Sequence, residues 1–139
     1  ASNPRVTYTK PEVAAVGVGV EQARRRGLIV RTQHHDDVDR AVTDGDTTGF
    51  SRLVLDRKDR VVGAAIVGPR AGESLAEAVL AVRRGLRARD LAGTTHAYPT
   101  YADGLWKPSV AAVDEQLHRG LAHRATTVLA ALRGRWVRR

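Results

Sequence analysis

The chain has 139 residues, of which 42% are hydrophobic and only 4% aromatic, so we expect one domain with an aliphatic core. It contains no cysteine, which excludes disulfides, thiolate nucleophiles and cysteine-based metal sites within the chain. The formal net charge of +8 comes mostly from scattered arginines without interleaved aromatics, and this favours solvated helix faces over a nucleic-acid surface.

The first third of the sequence predicts extended segments around one short helix. Residues 6–16 favour an extended chain that Pro11 interrupts, and residues 20–26 favour a helix. Residues 28–35 alternate loosely, as in a strand. Residues 36–48 are rich in Asp, Thr and Gly and predict a loop.

Two apolar runs then predict an antiparallel hairpin. Residues 50–55 and 61–67 favour strands, and the polar residues 57–59 supply the turn. A helix that packs across the sheet is predicted over residues 75–87 by apolar residues at helical spacing, namely Leu75, Val79, Val82 and Leu86. This succession predicts an α+β domain, an antiparallel β-sheet of four or five strands with helices packed on one face.

The last predicted elements are a loop and an interrupted helix. Residues 93–99 predict an exposed loop, and a helical pattern resumes at Tyr101. Pro108 lacks an amide donor and its ring clashes with the preceding turn. We therefore expect a break or kink near residues 106–107, with Pro108 opening a second helical segment that runs to Leu117.

Residues 118–139 are interpreted as an extra C-terminal helix added to a domain of residues 1–117. Arginines surround an apolar stripe there, which predicts a basic amphipathic helix. Packing on the domain or on its dimer partner is favoured over contact with an anionic partner or a membrane. No apolar run approaches the roughly 20 residues needed to cross a bilayer, and we expect a cytoplasmic protein with no membrane contact.

The segment from His96 to Asp103 concentrates side chains that handle protons. His96 and Tyr98 lead into the pair Pro99-Thr100, and Asp103 follows five residues after the tyrosine, just inside the next helical pattern. A rigid loop would present the donors, and the helix would hold an acid that orients them. The sequence therefore predicts a proton-transfer site in this segment.

The same segment resembles the His-x-His-Pro-Thr-x-x-Glu motif in the dimerisation domain of the FAD- and NAD(P)-dependent disulfide reductases. Tyr98 stands at the position of the second His, and Asp103 at that of the Glu. Residues 9–17 are similar to the family's Thr-x-Pro-Glu-(Ile/Val)-Ala-x-Val-Gly opening, and residues 66–74 to its strand-to-helix passage. Together these segments identify the chain as a member of that family over about residues 4–115.

The resemblance implies a homodimer in which His96, Tyr98 and Asp103 serve the redox site of the other subunit. It also implies that Pro99 and Thr100 face the cofactor. In the family, the histidine at the position of Tyr98 is the acid–base catalyst. A phenol, with an ordinary pKa of about 10, can donate a hydrogen bond or a proton but is a poor base. Mercuric reductases also place a tyrosine there, yet they end in a cysteine pair and this chain ends in two arginines.

Two alternatives stay open for Asp103. It is one methylene shorter than the family's Glu, so it either pairs with the residue at position 98 or serves only as an acid in the first turn of a helix. His96 is either a positioning residue or a solvated loop histidine. The cluster His34-His35-Asp36-Asp37 predicts no metal site, because adjacent residues of a strand point to opposite faces.

The resemblance implies FAD and NAD(P) for a longer parent protein, held by FAD and NAD domains. The chain has no Gly-x-Gly-x-x-Gly fingerprint, so we expect it alone to hold no cofactor and to catalyse nothing. The alternative function is a free-standing basic domain that reuses the fold to bind an anionic partner.

Overall fold

A five-stranded antiparallel sheet organises the chain in the computed structural model, which describes residues 2–119. Its strands are β1 (Arg5–Thr7), β2 (Glu12–Gly17), β3 (Ile29–His34), β4 (Phe50–Leu55) and β5 (Val61–Gly68). Their order is β1-β2-β5-β4-β3, and every neighbouring pair is antiparallel. The predicted α+β fold, with its antiparallel sheet, is confirmed.

Within residues 2–119, five helices and one 3-10 turn accompany the sheet. They are α1 (Val20–Arg25), the 3-10 turn (His35–Asp37), α2 (Asp39–Asp44), α3 (Ala71–Arg84), α4 (Ala88–Ala92) and α5 (Asp103–Arg119). Helix α3 packs on β2 and β5, and α5 packs on β3 and β4. The two long helices therefore share the sheet, each covering two of its four longer strands.

Helix α3 packs on the sheet through a face on which three of the four buried side chains are alanines. Ala71, Leu75, Ala78 and Ala81 are its buried residues, at the spacing of one helix face. Gly85, with a φ of 64°, ends the helix in the left-handed conformation that glycine adopts without strain. The predicted helix across the sheet is thus confirmed, with its start at Ala71.

The main core lies between the sheet and these two helices. Leu53 and Leu55 of β4 are fully buried, as is Leu105 of α5, and Ile66 of β5 is only 2% exposed. These side chains belong to one cluster with the buried face of α3. The aliphatic core expected from the composition is present.

The prediction of a loop over residues 36–48 is wrong, because this segment contains the 3-10 turn and helix α2. Val38 and Ala41 are fully buried there and form a second small core with Tyr101. Gly45 closes α2 at a φ of 69°. Burial of two apolar residues against a distant aromatic ring outweighs the polar composition of the segment.

Helix α5 continues through Pro108 without a break, so the prediction of a second helical segment that opens at Pro108 is also wrong. Proline costs the helix one amide hydrogen bond, but the residues around it are held by packing. Leu105 and Ser109 are fully buried, and Ser109 Oγ donates to the Leu105 carbonyl at 2.8 Å. Tertiary burial on both sides of Pro108 therefore keeps the helix whole.

Helix α5 runs to Arg119, and the predicted C-terminal helix beyond it lies outside the described residues. The division at residues 117–118 stays a prediction. Within residues 2–119, no helix is long and apolar enough to span a bilayer.

His35 is a buried histidine at the junction of β3 and α2. It is 1% exposed, and its Nε2 hydrogen-bonds with Oγ of the fully buried Ser51 at 3.0 Å. Nδ1 has no hydrogen-bond partner of good geometry among residues 2–119. Burial disfavours the imidazolium form and lowers the pKa of His35 below its ordinary value.

We expect the free energy of unfolding to fall as the pH drops below about 6.5, the ordinary pKa of histidine in an unfolded chain. Because the pKa of His35 is lowered in the folded state, the unfolded state binds this proton first, and acid favours unfolding. Urea denaturation at about pH 7.5 and pH 5.5 measures the loss. His35→Gln, which does not titrate, is expected to reduce this pH dependence whatever its own stability. Equal pH dependence in both proteins would contradict the assignment.

Candidate proton-transfer site

His96 anchors the motif loop, residues 93–102 between α4 and α5, to α3 and is not a solvated histidine. Its Nδ1 lies 2.8 Å from the Thr94 carbonyl, and its Nε2 lies 2.9 Å from Glu77 Oε1 on α3. Both partners are hydrogen-bond acceptors, so each ring nitrogen faces a group to which it can donate. The ring also lies 6.3 Å from that of Trp106, centroid to centroid. His96 thus holds the loop in place, and its nitrogens are already engaged.

Tyr98 projects from the loop and is 70% exposed. Its hydroxyl donates a hydrogen bond to Asp39 Oδ2, in the first turn of α2. This hydrogen bond and the charge of Asp39 raise the pKa of Tyr98 above its ordinary value. Tyr98 is therefore a protonated phenol near neutral pH, with its proton directed at a carboxylate.

Asp103 makes no hydrogen bond to Tyr98 among the described residues. It is 3% exposed, in the first turn of α5, and its Oδ2 has no hydrogen-bond partner within residues 2–119. Burial raises the pKa of Asp103, Asp39 raises it further, and Lys107 and His96 oppose the shift. Burial outweighs the helix dipole, which would stabilise the charged form at this position.

Pro99 and Thr100 shape the turn that follows Tyr98. The Tyr98–Pro99 peptide bond is cis, and Pro99 is exposed. Thr100 Oγ1 donates to the Ala97 carbonyl at 2.9 Å, so its hydroxyl is used within the loop. The predicted contact of these two residues with a cofactor stays a prediction.

The segment around α2 is hydrogen-bonded both to the loop before α5 and to α5 itself. Tyr101 donates from its hydroxyl to Asp44 Oδ2 at 3.2 Å, and burial is the main cause that raises the pKa of Tyr101. Lys107 of α5 donates to Asp37 Oδ1 at 2.9 Å and lowers the pKa of that carboxyl. Sequence reasoning missed these acids, although the spacing of the apolar residues Val38 and Ala41 is a signal for the helix that carries them.

A close contact fixes α5 on β4 next to the site. A Cβ at Gly104 would lie 2.4 Å from Ser51 Oγ and 3.0 Å from Ser51 Cβ. Ser51 in turn bonds His35, which leads into the turn before α2. Gly104 therefore sets how closely the start of α5 approaches the strand that supports α2.

Gly104→Ala is expected to lower the free energy of unfolding by about 1–3 kcal/mol, the usual cost of overpacking a tight core. Ser51 is fully buried and has a short side chain, so it cannot rotate away. Gly72→Ala is the matched control in the first turn of α3, where the new Cβ would meet its nearest atom at an ordinary 3.4 Å. Alanine favours the helix, so this variant is expected to be as stable as the parent or slightly more stable. Urea denaturation compares them, and similar losses in both would refute the close-packing account.

The described residues contain no group of three or more His, Asp or Glu side chains arranged to hold a metal ion. They also contain no strand-helix-strand unit with parallel strands, the unit that binds dinucleotides. Chemically, the arrangement offers one exposed phenol, Tyr98, on a well-anchored loop. Its hydroxyl is hydrogen-bonded to the carboxylate of Asp39 on α2.

The fold and the loop together define an α+β dimerisation domain that presents the side chain of Tyr98 outward. The chain belongs to the pyridine nucleotide-disulphide oxidoreductase family, as its dimerisation domain: the profile of that domain matches residues 3–108.

Curated relatives include both lipoamide and mercuric enzymes. The chain is 39% identical over 112 residues to the mitochondrial dihydrolipoyl dehydrogenase of Caenorhabditis elegans, covering 78% of this chain and 23% of the relative. It is 43% identical over 105 residues to the mercuric reductase of Lysinibacillus sphaericus, covering 73% of this chain and 19% of the relative. The chain thus spans about a quarter of the length of such relatives.

Solved structures share the fold. LpdA from Mycobacterium tuberculosis superposes with a TM-score of 0.73 at 25% identity, over 79% of this chain and 25% of that one. The HOCl-induced flavoprotein disulfide reductase RclA from Escherichia coli gives a TM-score of 0.73 at 24% identity, over 78% of this chain and 26% of that one.

Proposed function

We propose that this domain forms the subunit interface of a homodimeric flavin-dependent oxidoreductase and presents Tyr98 to the redox centre of the partner subunit. FAD and NAD(P) would be held by further domains of the same parent protein. The observation that carries the proposal is the exposure of Tyr98, at 70%, on a loop in which the polar side chains of His96 and Thr100 are already hydrogen-bonded. An exposed phenol at the family's acid–base position is suited to act on a group outside this domain.

The three candidate site residues take different roles in this proposal. Tyr98 meets the reacting groups. His96 is a positioning residue, since its ring nitrogens bridge Thr94 and Glu77. Asp103 adds negative charge near Tyr98 and contributes to its raised pKa. Pro99 and Thr100 shape the loop that faces the cofactor.

An apolar surface on α5 supports a second copy of the chain as the partner. Leu117 is 61% exposed and Val110 is 37% exposed. Both line a groove between α4 and α5 with Ala92 and Val113. Exposed apolar side chains grouped in one groove are typical of an interaction surface, and a two-fold dimer buries such a surface on both subunits at once.

Leu117→Asp is expected to weaken the homodimer at least tenfold, because an interface would bury the new carboxylate without a partner. Sedimentation equilibrium over a range of concentrations measures the dissociation constant. Leu80→Asp is the matched control, because Leu80 is 57% exposed on α3 and does not line the groove. Equal weakening by both variants, or by neither, would place the interface elsewhere.

The alternative of a free-standing basic domain that binds an anionic partner has less support. Membership of the dimerisation family accounts for the fold, the loop and the opening segment together, whereas the arginines are spread over the surface. Binding to a polyanion weakens steeply as salt is added. Self-association that is equally strong at low and high salt would therefore favour the interface proposal over the anionic partner.

A further inference from the structure

We propose that Asp39 is the positioning residue of the site. It holds the Tyr98 hydroxyl proton, so that Tyr98 presents an oxygen lone pair outward and can relay a proton from a donor on the partner subunit to the carboxylate. This inference rests on the proposed function for its reaction, but the pairing itself is a property of this chain. It assigns a role to α2, a segment that the motif does not include.

In the hydrogen bond between Tyr98 and Asp39, the tyrosine hydroxyl is the donor. A phenol has one proton, and the structure directs it to Asp39 Oδ2. What remains on the exposed side of the oxygen is acceptor capacity. Tyr98 thus offers the partner subunit an acceptor, which suits a proton-bearing group such as a thiol.

Tyr98 needs a carboxylate beside it in order to pass on a proton. A phenol alone is a poor base, because accepting a proton while keeping its own would create an oxonium ion. With Asp39 as acceptor, the incoming proton forms a new O–H bond at Tyr98 as the old O–H bond breaks. The original proton goes to Asp39 Oδ2, and the donor keeps the electron pair of its broken bond. No oxidant or reductant takes part in this exchange.

Asp39 is held in a fixed position relative to the loop that carries Tyr98. It lies on α2, whose buried Ala41 packs with Tyr101 of the motif. Asp44, one turn further along the helix, accepts from the Tyr101 hydroxyl at 3.2 Å and from Arg40 Nε at 2.9 Å. The helix that carries Asp39 is therefore attached to the residues just after Tyr98, so loop and carboxylate keep their relative positions.

Asp103, the other acid near Tyr98, is not the group that exchanges a proton with it. Two carboxyl groups act on Tyr98, Asp39 from α2 and Asp103 from α5, and both raise its pKa. Only Asp39 is hydrogen-bonded to it, whereas Asp103 acts through its charge alone. Asp103 is itself influenced by Lys107, Asp39 and His96, and its burial favours the uncharged acid. Asp39 is therefore the acid placed to exchange a proton with Tyr98.

A titration of the chain alone tests the pairing. Carbon-13 at Cζ of tyrosine reports ionisation of each phenol by NMR, and the chain has only three tyrosines, which Tyr→Phe variants assign. Asp39→Asn is expected to move the titration of Tyr98 to lower pH. Asp103→Asn is expected to move it less, because only a charge is lost. Asp44→Asn is the matched control, since it removes a tyrosine–aspartate bond from Tyr101 and should leave the Tyr98 titration in place.

A Tyr98 titration that Asp39→Asn leaves unchanged in a folded protein, judged by its amide spectrum, overturns the pairing. A larger shift with Asp103→Asn than with Asp39→Asn overturns it too. Asp39→Glu keeps the charge and is expected to restore part of the shift, which separates the carboxylate from any structural effect of position 39.

Kinetics of the flavoprotein homodimer test the relay. Asp39→Asn is expected to lower kcat about tenfold or more with little change in KM, and to alter the pH profile as Tyr98→Phe does. Loss of activity with Tyr98→Phe but not with Asp39→Asn would overturn the relay and leave the proposed function standing. Full activity in both variants would overturn the proposed function, and the NMR titration would still decide whether Asp39 holds the proton.

Discussion

Tyr98→Phe is expected to lower the turnover of the proposed flavoprotein homodimer about a hundredfold or more, the typical loss when an acid–base group is removed. Phenylalanine keeps the ring and removes only the oxygen that would relay the proton to Asp39. The measurement is steady-state kcat and kcat/KM across pH, with the disulfide or other acceptor that the parent enzyme uses. A loss of only about fivefold would instead indicate a hydrogen bond without proton transfer.

The control for this variant is Tyr8→Phe, since Tyr8 is 80% exposed outside the site and its variant should keep full turnover. In combination, Tyr98→Phe and Asp39→Asn are expected to cost little more than Tyr98→Phe alone, because residues that act as a unit are not additive. Additive losses would mean that the two residues act separately. Unchanged kinetics for Tyr98→Phe at every pH would leave Tyr98 as an interface residue only.

Leu53→Ala is expected to lower the free energy of unfolding by about 2–5 kcal/mol. Leu53 is fully buried in β4, an interior strand of the sheet, in the main core with Leu55, Leu75 and Leu105. Alanine would leave a cavity that strands and helices on all sides keep from collapsing. Urea denaturation gives the loss, and an unchanged slope against urea shows that the unfolded state is unaffected.

The same substitution on the surface provides the comparison. Leu80 is 57% exposed on α3, so Leu80→Ala is expected to change the free energy of unfolding by about 0.5 kcal/mol or less. A Leu53→Ala variant no less stable than Leu80→Ala would disprove the position of the core between sheet and helices.

Sequence reasoning predicted the elements that carry strong local patterns. The hairpin of β4 and β5 and the helix α3 follow from apolar runs and from apolar residues at helical spacing. It failed at α2 and at Pro108 for one physical reason. Both depend on burial against parts of the chain far away in sequence, with Ala41 against Tyr101 and Ser109 within the core. The polar composition of a segment does not by itself report such contacts.

The candidate site divides in the same way. The motif loop could be read from the order His96, Tyr98, Pro99-Thr100 and Asp103, and the resemblance supplied its family. The sequence left two alternatives for Asp103, the acid at the matching position: pairing with Tyr98, or service only as an acid in the first turn of a helix. The structure instead joins Tyr98 to Asp39, because aspartate is shorter than glutamate and α2 lies beside the loop. Only the folded chain brings these two residues together.

The bond between Tyr98 and Asp39 spans 59 positions of the chain. A lineage that exchanged the tyrosine for a histidine would no longer need a carboxylate on α2, and one that lost the carboxylate would leave the tyrosine without a proton acceptor. The two positions are therefore expected to change together, as one inherited unit. For protein engineering, transplanting residues 94–103 into a related reductase would transfer the phenol without its acceptor, so a working graft must include α2 as well.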